Sequence, residues 1–111
     1  MPIDYQVQIT QNGRDGVDYF IEGDSRLPFY WEFTMGGVAI EVPTLEEWDG
    51  YCDIKRAPRA KGRRQEILVK LANEVRRRKA KSAVISIEDN WIILTFEEPW
   101  IYSFLRGLFG R

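Results

Sequence analysis

Histidine is absent from this 111-residue sequence, and cysteine occurs once, as Cys52. The absence of histidine removes the usual general base near neutral pH, the commonest metal ligand and every histidine-activated nucleophile. A single cysteine cannot form an intramolecular disulfide, so nothing indicates an oxidising compartment. We therefore expect a protein that is not an enzyme and that binds no cofactor and no metal. An enzyme that uses carboxylates or lysine is the alternative.

Long apolar runs are also missing. No stretch approaches the ~18 uninterrupted apolar residues of a membrane-spanning helix. The first residues, Met1 to Asp4, lack the basic region and apolar run of a signal peptide. We expect a cytoplasmic protein without a transmembrane segment, and the compactness of the chain suggests a bacterial source.

The first half of the chain is dominated by two-residue alternation of apolar and polar side chains. This period predicts strands over residues 3–10, 17–22, 27–34 and 38–42, separated by turn residues such as Asn12-Gly13 and Gly36-Gly37. Because no helical pattern separates them, the four strands are expected to form an antiparallel meander.

Helical spacing begins after Pro43. Thr44 with Glu47 three residues later predicts a capping box at the start of a short helix. A longer helix is predicted from near Pro58 or Gly62 to about Lys79, and two strands follow over residues 83–88 and 91–97. The order β-β-β-β-α-α-β-β predicts one α+β domain over residues 1–98, with an antiparallel sheet and both helices on one face.

The charges are strongly segregated along the chain. Residues 55–81 hold 12 cations and two anions, whereas residues 1–54 hold two cations and 11 anions. The chain as a whole therefore has a net charge of only −1. A field polarised in this way can steer and hold an oppositely charged surface.

The basic block has two ends that differ in their relation to the long helix. Arg76, Arg77, Arg78 and Lys79 fall in its last turn, where cations suit the negative end of the helix dipole. Four other cations of the block fall at its start, where they oppose the positive end of the dipole and call for an anion. The cations of that cluster are Arg59, Lys61, Arg63 and Arg64.

Three kinds of anion could satisfy the cluster at the helix start. Acidic residues of the same chain are favoured, since four carboxylates lie just upstream. These are Glu46, Glu47, Asp49 and Asp53. An acidic partner protein or a nucleic-acid phosphate would serve equally, but no RNA-recognition, zinc-finger or helix-turn-helix motif supports nucleic acid. Phe29, Trp31 and Phe33 share one strand face, which favours a place in the core over base stacking.

The last residues form a second candidate surface. Residues 99–111 place Trp100, Phe104 and Leu108 on one apolar stripe at helical spacing. This amphipathic segment is expected to dock on its own domain, on a second copy to give a homodimer, or on a partner.

These observations lead to a non-enzymatic protein-interaction domain. Its predicted contact residues are the basic helix residues and the aromatic tail. They are Arg59, Lys61, Arg63, Arg64, Arg76, Arg77, Trp100, Phe104 and Leu108. A nucleic-acid-binding module that uses the same arginines is the alternative.

Overall fold

The computed structural model describes residues 4–96, which form six strands and two α-helices. The strands are β1 (Tyr5–Ile9), β2 (Asp15–Glu22), β3 (Ser25–Thr34), β4 (Gly37–Glu41), β5 (Val84–Ile87) and β6 (Trp91–Thr95). The helices are α1 (Leu45–Ile54) and α2 (Arg64–Lys79), joined through a single 3₁₀ turn at Pro58–Ala60.

All six strands lie in one antiparallel sheet, in the order β1-β2-β3-β4-β6-β5. The first four strands are neighbours in sequence and in space, so the predicted meander is confirmed. The last strand, β6, lies between β4 and β5 and pairs with both, so β1 and β5 are the two edges. The predicted α+β class and element order are confirmed.

Alternation gives the sheet one face that is buried beneath the helices. The aromatic side chains of β3 are central to it: Phe29 and Trp31 are buried, and Phe33 packs against the core. Leu27 of β3 and residues of the other strands also contribute buried side chains to the same core. These are Val7, Phe20, Leu27, Val38, Ile40, Ile92 and Leu94. The opposite sheet face carries the alternate residues, including the exposed Tyr30.

Helix α1 begins with the capping box that the sequence predicts. The Thr44 hydroxyl accepts from the Glu47 backbone N–H at 3.2 Å, and the Glu47 carboxylate accepts from the Thr44 N–H at 3.0 Å. The helix buries Trp48 and Cys52. The Trp48 indole donates to the Ala60 carbonyl oxygen at 2.8 Å and so fixes the 3₁₀ turn against α1. Burial raises the pKa of the Cys52 thiol to about 11, so this thiol is poorly reactive.

Helix α2 packs on the same face through an apolar stripe at helical spacing. The stripe consists of Ile67, Leu68, Leu71, Ala72 and Val75, all of which are buried. Its position against β5, β6 and β1 places the helix beneath the curled sheet, with an edge strand on either side. The start of α2 lies near Glu22, at the end of β2, and its last turn lies near Gln11, just beyond the end of β1.

Two glycines lie inside strands although the sequence suggests turns at both positions. A Cβ at Gly16 would clash with the Thr10 carbonyl and the Trp31 indole, and one at Gly37 would clash with the Leu94 carbonyl. Glycine is required at both places because another chain segment approaches closely, so the strands extend further toward their turns than predicted.

The predicted tail, residues 99–111, lies outside the residues described. Within residues 4–96, neither helix is long and apolar enough to span a bilayer.

Candidate functional site

The start of α2 is held by a carboxylate from a distant strand. Arg63 immediately precedes the helix, and its guanidinium makes two parallel hydrogen bonds to Glu22 of β2, at 3.0 and 2.8 Å. The same guanidinium donates to Glu66 at 3.2 and 2.7 Å. Glu22 is almost fully buried, whereas Arg63 keeps about a quarter of its side chain exposed, at 27%. The anion required at this helix end is therefore supplied by the chain itself.

The ionisation of these groups reflects their mutual contacts. Hydrogen bonds from Arg63 and then from Lys70 lower the pKa of Glu66 to about 2. Hydrogen bonds to Glu66 and Glu22 raise the pKa of Arg63, so its charge is permanent at any physiological pH. A bidentate pair with a buried carboxylate is both directional and strong, and it sets the position of the helix start relative to β2.

The neighbouring cations of the cluster also contact their own chain. Lys61 forms an ion pair with Asp53 at 3.1 Å, and the Gly62 N–H donates to Asp49 at 2.9 Å. Arg64 donates to three backbone carbonyls. These belong to Pro43, Glu88 and Asp89, at 2.9, 3.2 and 2.7 Å. Of the four upstream carboxylates, Asp53 alone forms an ion pair with a cation of this cluster within residues 4–96, and Asp49 accepts from a backbone N–H.

Arg59 differs from the rest of the cluster. Its backbone carbonyl accepts a hydrogen bond from Arg63 at 3.1 Å, but its side chain is exposed. Within residues 4–96 its guanidinium has no carboxylate within 4 Å. The side chain borders a small depression of about 190 Å³ beside Asp24.

At the other end of α2, the cations greatly outnumber the carboxylates. Arg76 donates to the neutral amide of Asn73 at 3.1 Å, and Lys79 donates to the neutral amide of Gln11 at 2.6 Å. Of the carboxylates in the described chain, Glu74 alone lies within ion-pair distance of this group, and it contacts Arg77 and Arg78. We call this group the basic end. It comprises Arg76, Arg77, Arg78, Lys79 and Lys81.

A buried carboxyl group lies near the basic end. Asp18 of β2 is 0% exposed, and both of its oxygens lack a hydrogen-bond partner in the described chain. Burial raises its pKa to about 7, although the nearby positive charges of Lys79 and Arg78 act in the opposite direction. The ammonium of Lys79 also lies 5.7 Å from the centroid of the Trp31 ring. The cations here face solvent on one side and a partly neutral carboxyl on the other.

Sequence reasoning did not identify Glu22 or Asp18 as contact residues of the basic block. Both belong to the alternating segment Asp15–Glu22, in which each face of the strand contains apolar residues. Asp18, Phe20 and Glu22 share the buried face. Asp18 and Glu22 are each two residues from Phe20, and this spacing is the feature of the sequence that places both acids on the same strand face as Phe20.

A groove of about 670 Å³ lies between α1 and the strands β3 and β4. Phe29, Tyr30 and Tyr51 contribute aromatic surface, and Glu41 and Glu47 contribute carboxylates. Glu47 is already engaged in the capping box. The ammonium of Lys55 lies 5.7 Å from the centroid of the Tyr51 ring. The groove therefore has little unbalanced charge with which to select a ligand.

The described part of the chain contains no cluster of three potential metal-ligating residues. The tail residues Trp100, Phe104 and Leu108 lie outside the described range, so their predicted contact role stays a prediction. The chain matches no protein-family model, no curated protein and no solved structure. A function for this protein can therefore be inferred only from the contacts and charges of residues 4–96.

Proposed function

We propose that this protein is a non-enzymatic interaction domain that binds an acidic surface of a partner protein through the basic end of α2. The observation that carries the proposal is the imbalance there: five cations and one paired carboxylate, Glu74. Such a surface gains electrostatic attraction on meeting an acidic partner and need not first break a strong internal ion pair.

The contrast with the start of the helix supports this choice of surface. Arg63 is committed to Glu22 and Glu66, and Arg64 is committed to backbone carbonyls. A partner that used these two side chains would have to replace contacts that already position α2. Within residues 4–96, Arg76 and Arg77 contact side chains three residues back on their own helix, and such contacts exchange readily with solvent. Binding through the C-terminal segment stays a separate prediction.

An acidic protein is favoured over nucleic acid for two reasons. The strand β3 presents little aromatic surface for base stacking, because Trp31 and Phe29 are in the core at 0% and 2% exposure and Tyr30 is its exposed ring. In addition, residues 1–54 hold 11 anions and two cations, which would repel a long polyanion extending beyond the basic end. A protein partner can confine its acidic residues to the contact itself.

The proposal can be tested with a fluorescein-labelled poly-glutamate peptide and fluorescence anisotropy. Reversing charge at the basic end, with Arg76→Glu and Arg77→Glu, should weaken binding at low salt by at least about tenfold, because like charges then face each other. The control reverses two exposed charges outside α2, with Lys55→Glu and Arg59→Glu, and should lose much less. An equal loss of affinity in the two variants would mean that peptide binding depends only on the net charge of the protein, and would overturn the proposed site.

A second titration with single- and double-stranded oligonucleotides distinguishes the competing partner class. Phosphate binding gives a log affinity that falls by about 0.9 per neutralised phosphate for each unit of log salt on duplex DNA. We expect the oligonucleotides to bind more weakly than poly-glutamate at equal ionic strength. Tighter oligonucleotide binding that is lost with Arg76→Glu and Arg77→Glu would replace the acidic-protein proposal with nucleic-acid binding.

A further inference from the structure

The edge strand β5 is short, but it lacks the side chains that normally protect a sheet edge. Its four residues, Val84–Ile87, include no charged residue, no proline and no glycine, and three of the four are β-branched. Natural proteins usually guard an exposed edge with lysine, proline or a bulge, because unpaired backbone groups invite another strand. Val84 and Ser86 are exposed, and Val84 retains 47% of its surface.

The hydrogen-bonding direction of β5 follows from its pairing with β6. The Glu88 N–H donates to the Trp91 carbonyl at 2.6 Å, so residue 88 directs its backbone groups toward β6. Backbone direction alternates along a strand, and therefore Val84 and Ser86 also face β6. The N–H and C=O groups of Ile85 and Ile87 point away from the sheet. No strand within residues 4–96 pairs with that side.

Helix α2 packs against both edge strands, but two of its lysines lie beside the opposite edge, β1. The ammonium of Lys70 lies 4.8 Å from the centroid of the Tyr5 ring. Lys79 donates to Gln11 just beyond the end of the strand. Cationic side chains near an edge oppose the approach of another strand, which would have to displace or desolvate them. Within residues 4–96, no cationic contact of this kind reaches the side chains of β5, where Ser86 donates to Glu88.

We propose that β5 pairs antiparallel with β5 of a second copy of this chain, with Ser86 on the twofold axis. In this register Ile85 of one copy lies opposite Ile87 of the other, and the reverse pair forms by symmetry. All four outward backbone groups of each strand are then hydrogen-bonded. The two sheets become one continuous sheet, and each copy uses the same patch, as a twofold interface requires.

The side chains in this register are complementary. Ile85 and Ile87 meet across the interface on the helix-covered face, and the two Ser86 side chains meet on the open face. Each Val84 lies opposite Glu88 of the second copy. Ala83 lies opposite the second copy's Asp89, which brings this acid close to Lys81. No two residues of like charge lie directly opposite each other in this register. The side chains of β5 are therefore compatible with pairing to β5 of the second copy.

The register predicts a specific cross-link. Residues 86 of the two copies would form a non-hydrogen-bonded pair with Cα atoms about 4.5 Å apart, which suits a disulfide. Under mild oxidation, S86C should therefore give a covalent dimer. The matched control V84C should not, because the two residues 84 would lie about 13 Å apart along the strands. Both variants retain the buried Cys52.

Analytical ultracentrifugation of the full chain over a concentration series provides the second readout. The unmodified chain should self-associate, whereas S86E should remain monomeric because two carboxylates would meet at the twofold axis. Q6E places the same charge on the opposite edge and should associate like the unmodified chain. Circular dichroism identifies any loss of fold. A monomeric unmodified chain, equal cross-linking of V84C and S86C, or a dimer unaffected by S86E would each overturn the proposal.

Discussion

The two ends of α2 use the same residue types in opposite ways. At its start, Arg63 and Arg64 are held by Glu22, Glu66 and backbone carbonyls. At its end, the basic end has only Glu74 as an ion-pair partner in the described chain. The helix dipole explains the difference, since cations at the start are unfavourable unless an anion accompanies them, whereas cations at the end are favourable on their own.

This difference changes the interpretation of the basic block. From the sequence alone, the cluster at the helix start is the half of the block whose cations require an anion. The structure supplies that anion from β2 and from the first turn of the helix. Cations that oppose the dipole thus act as structural anchors here. Cations that match the dipole are left available for a partner.

The largest effect is expected where the ion pair is buried. Arg63→Ala should lower the free energy of unfolding by about 3–5 kcal/mol, because Glu22 would remain buried without its cation. Chemical denaturation at neutral pH measures this change. A double variant in which Glu22→Gln accompanies Arg63→Ala should recover part of the loss, since the uncompensated charge is then gone. A loss below about 1 kcal/mol for Arg63→Ala would contradict the anchoring role.

A smaller, pH-dependent effect is expected near the other end of the helix. Burial raises the pKa of Asp18 from 3.8 to about 7. Between these two pH values the folded state still holds a proton that the unfolded state has already released. Asp18 therefore contributes most to the free energy of unfolding below about pH 4. This contribution decreases as the pH rises to about 7, and above that pH it no longer changes. Asp18→Asn should increase stability at pH 8 by about 2 kcal/mol, once the cost of burying an amide is deducted.

The measurement for Asp18 is the difference in unfolding free energy between Asp18→Asn and the unmodified chain as a function of pH. Other acids, such as Glu66, cancel in this difference. A difference for Asp18→Asn that does not change between pH 4 and 7 would argue that its carboxyl is ionised throughout.

The smallest effect is expected at the surface of the basic end. Arg77→Ala should change the free energy of unfolding by no more than about 0.5 kcal/mol, because its pair with Glu74 is exposed and 66% of the arginine side chain faces solvent. Denaturation in parallel with Arg63→Ala gives the comparison directly. A loss as large as that of Arg63→Ala would show that the two ends of the helix do not differ in the way described.

Much of the fold was predictable because local rules agreed with the final packing. Alternation in β3 placed Phe29 and Trp31 in the core, and the Thr44–Glu47 capping box placed the start of α1. The boundaries of the strands were less accurate near Gly16 and Gly37. Glycine usually indicates a turn. Here it allows the close approach of a neighbouring backbone carbonyl, and that contact exists only in the folded chain.

The acid–base contacts were harder to predict because they join residues that are distant in sequence. Glu22 and Arg63 are separated by 41 residues, so no local spacing connects them. Asp18 lies on a strand whose two faces are both partly apolar, and period-two alternation alone does not say which face is buried. Proximity in sequence predicts the upstream carboxylates of α1 as partners of the cations, but in the described chain only Asp53 forms such a pair, with Lys61.

The position of β6 has a consequence for the order in which the chain can fold during synthesis. This strand is the last of those described, yet it lies between β4 and β5 and contributes Ile92 and Leu94 to the core. On the ribosome, the meander and both helices emerge while the side of β4 that later pairs with β6 is still open. The sheet can close only when residues 91–95 have left the exit tunnel. Until then, that side of β4 is the site at which a nascent chain would be most vulnerable to mispairing.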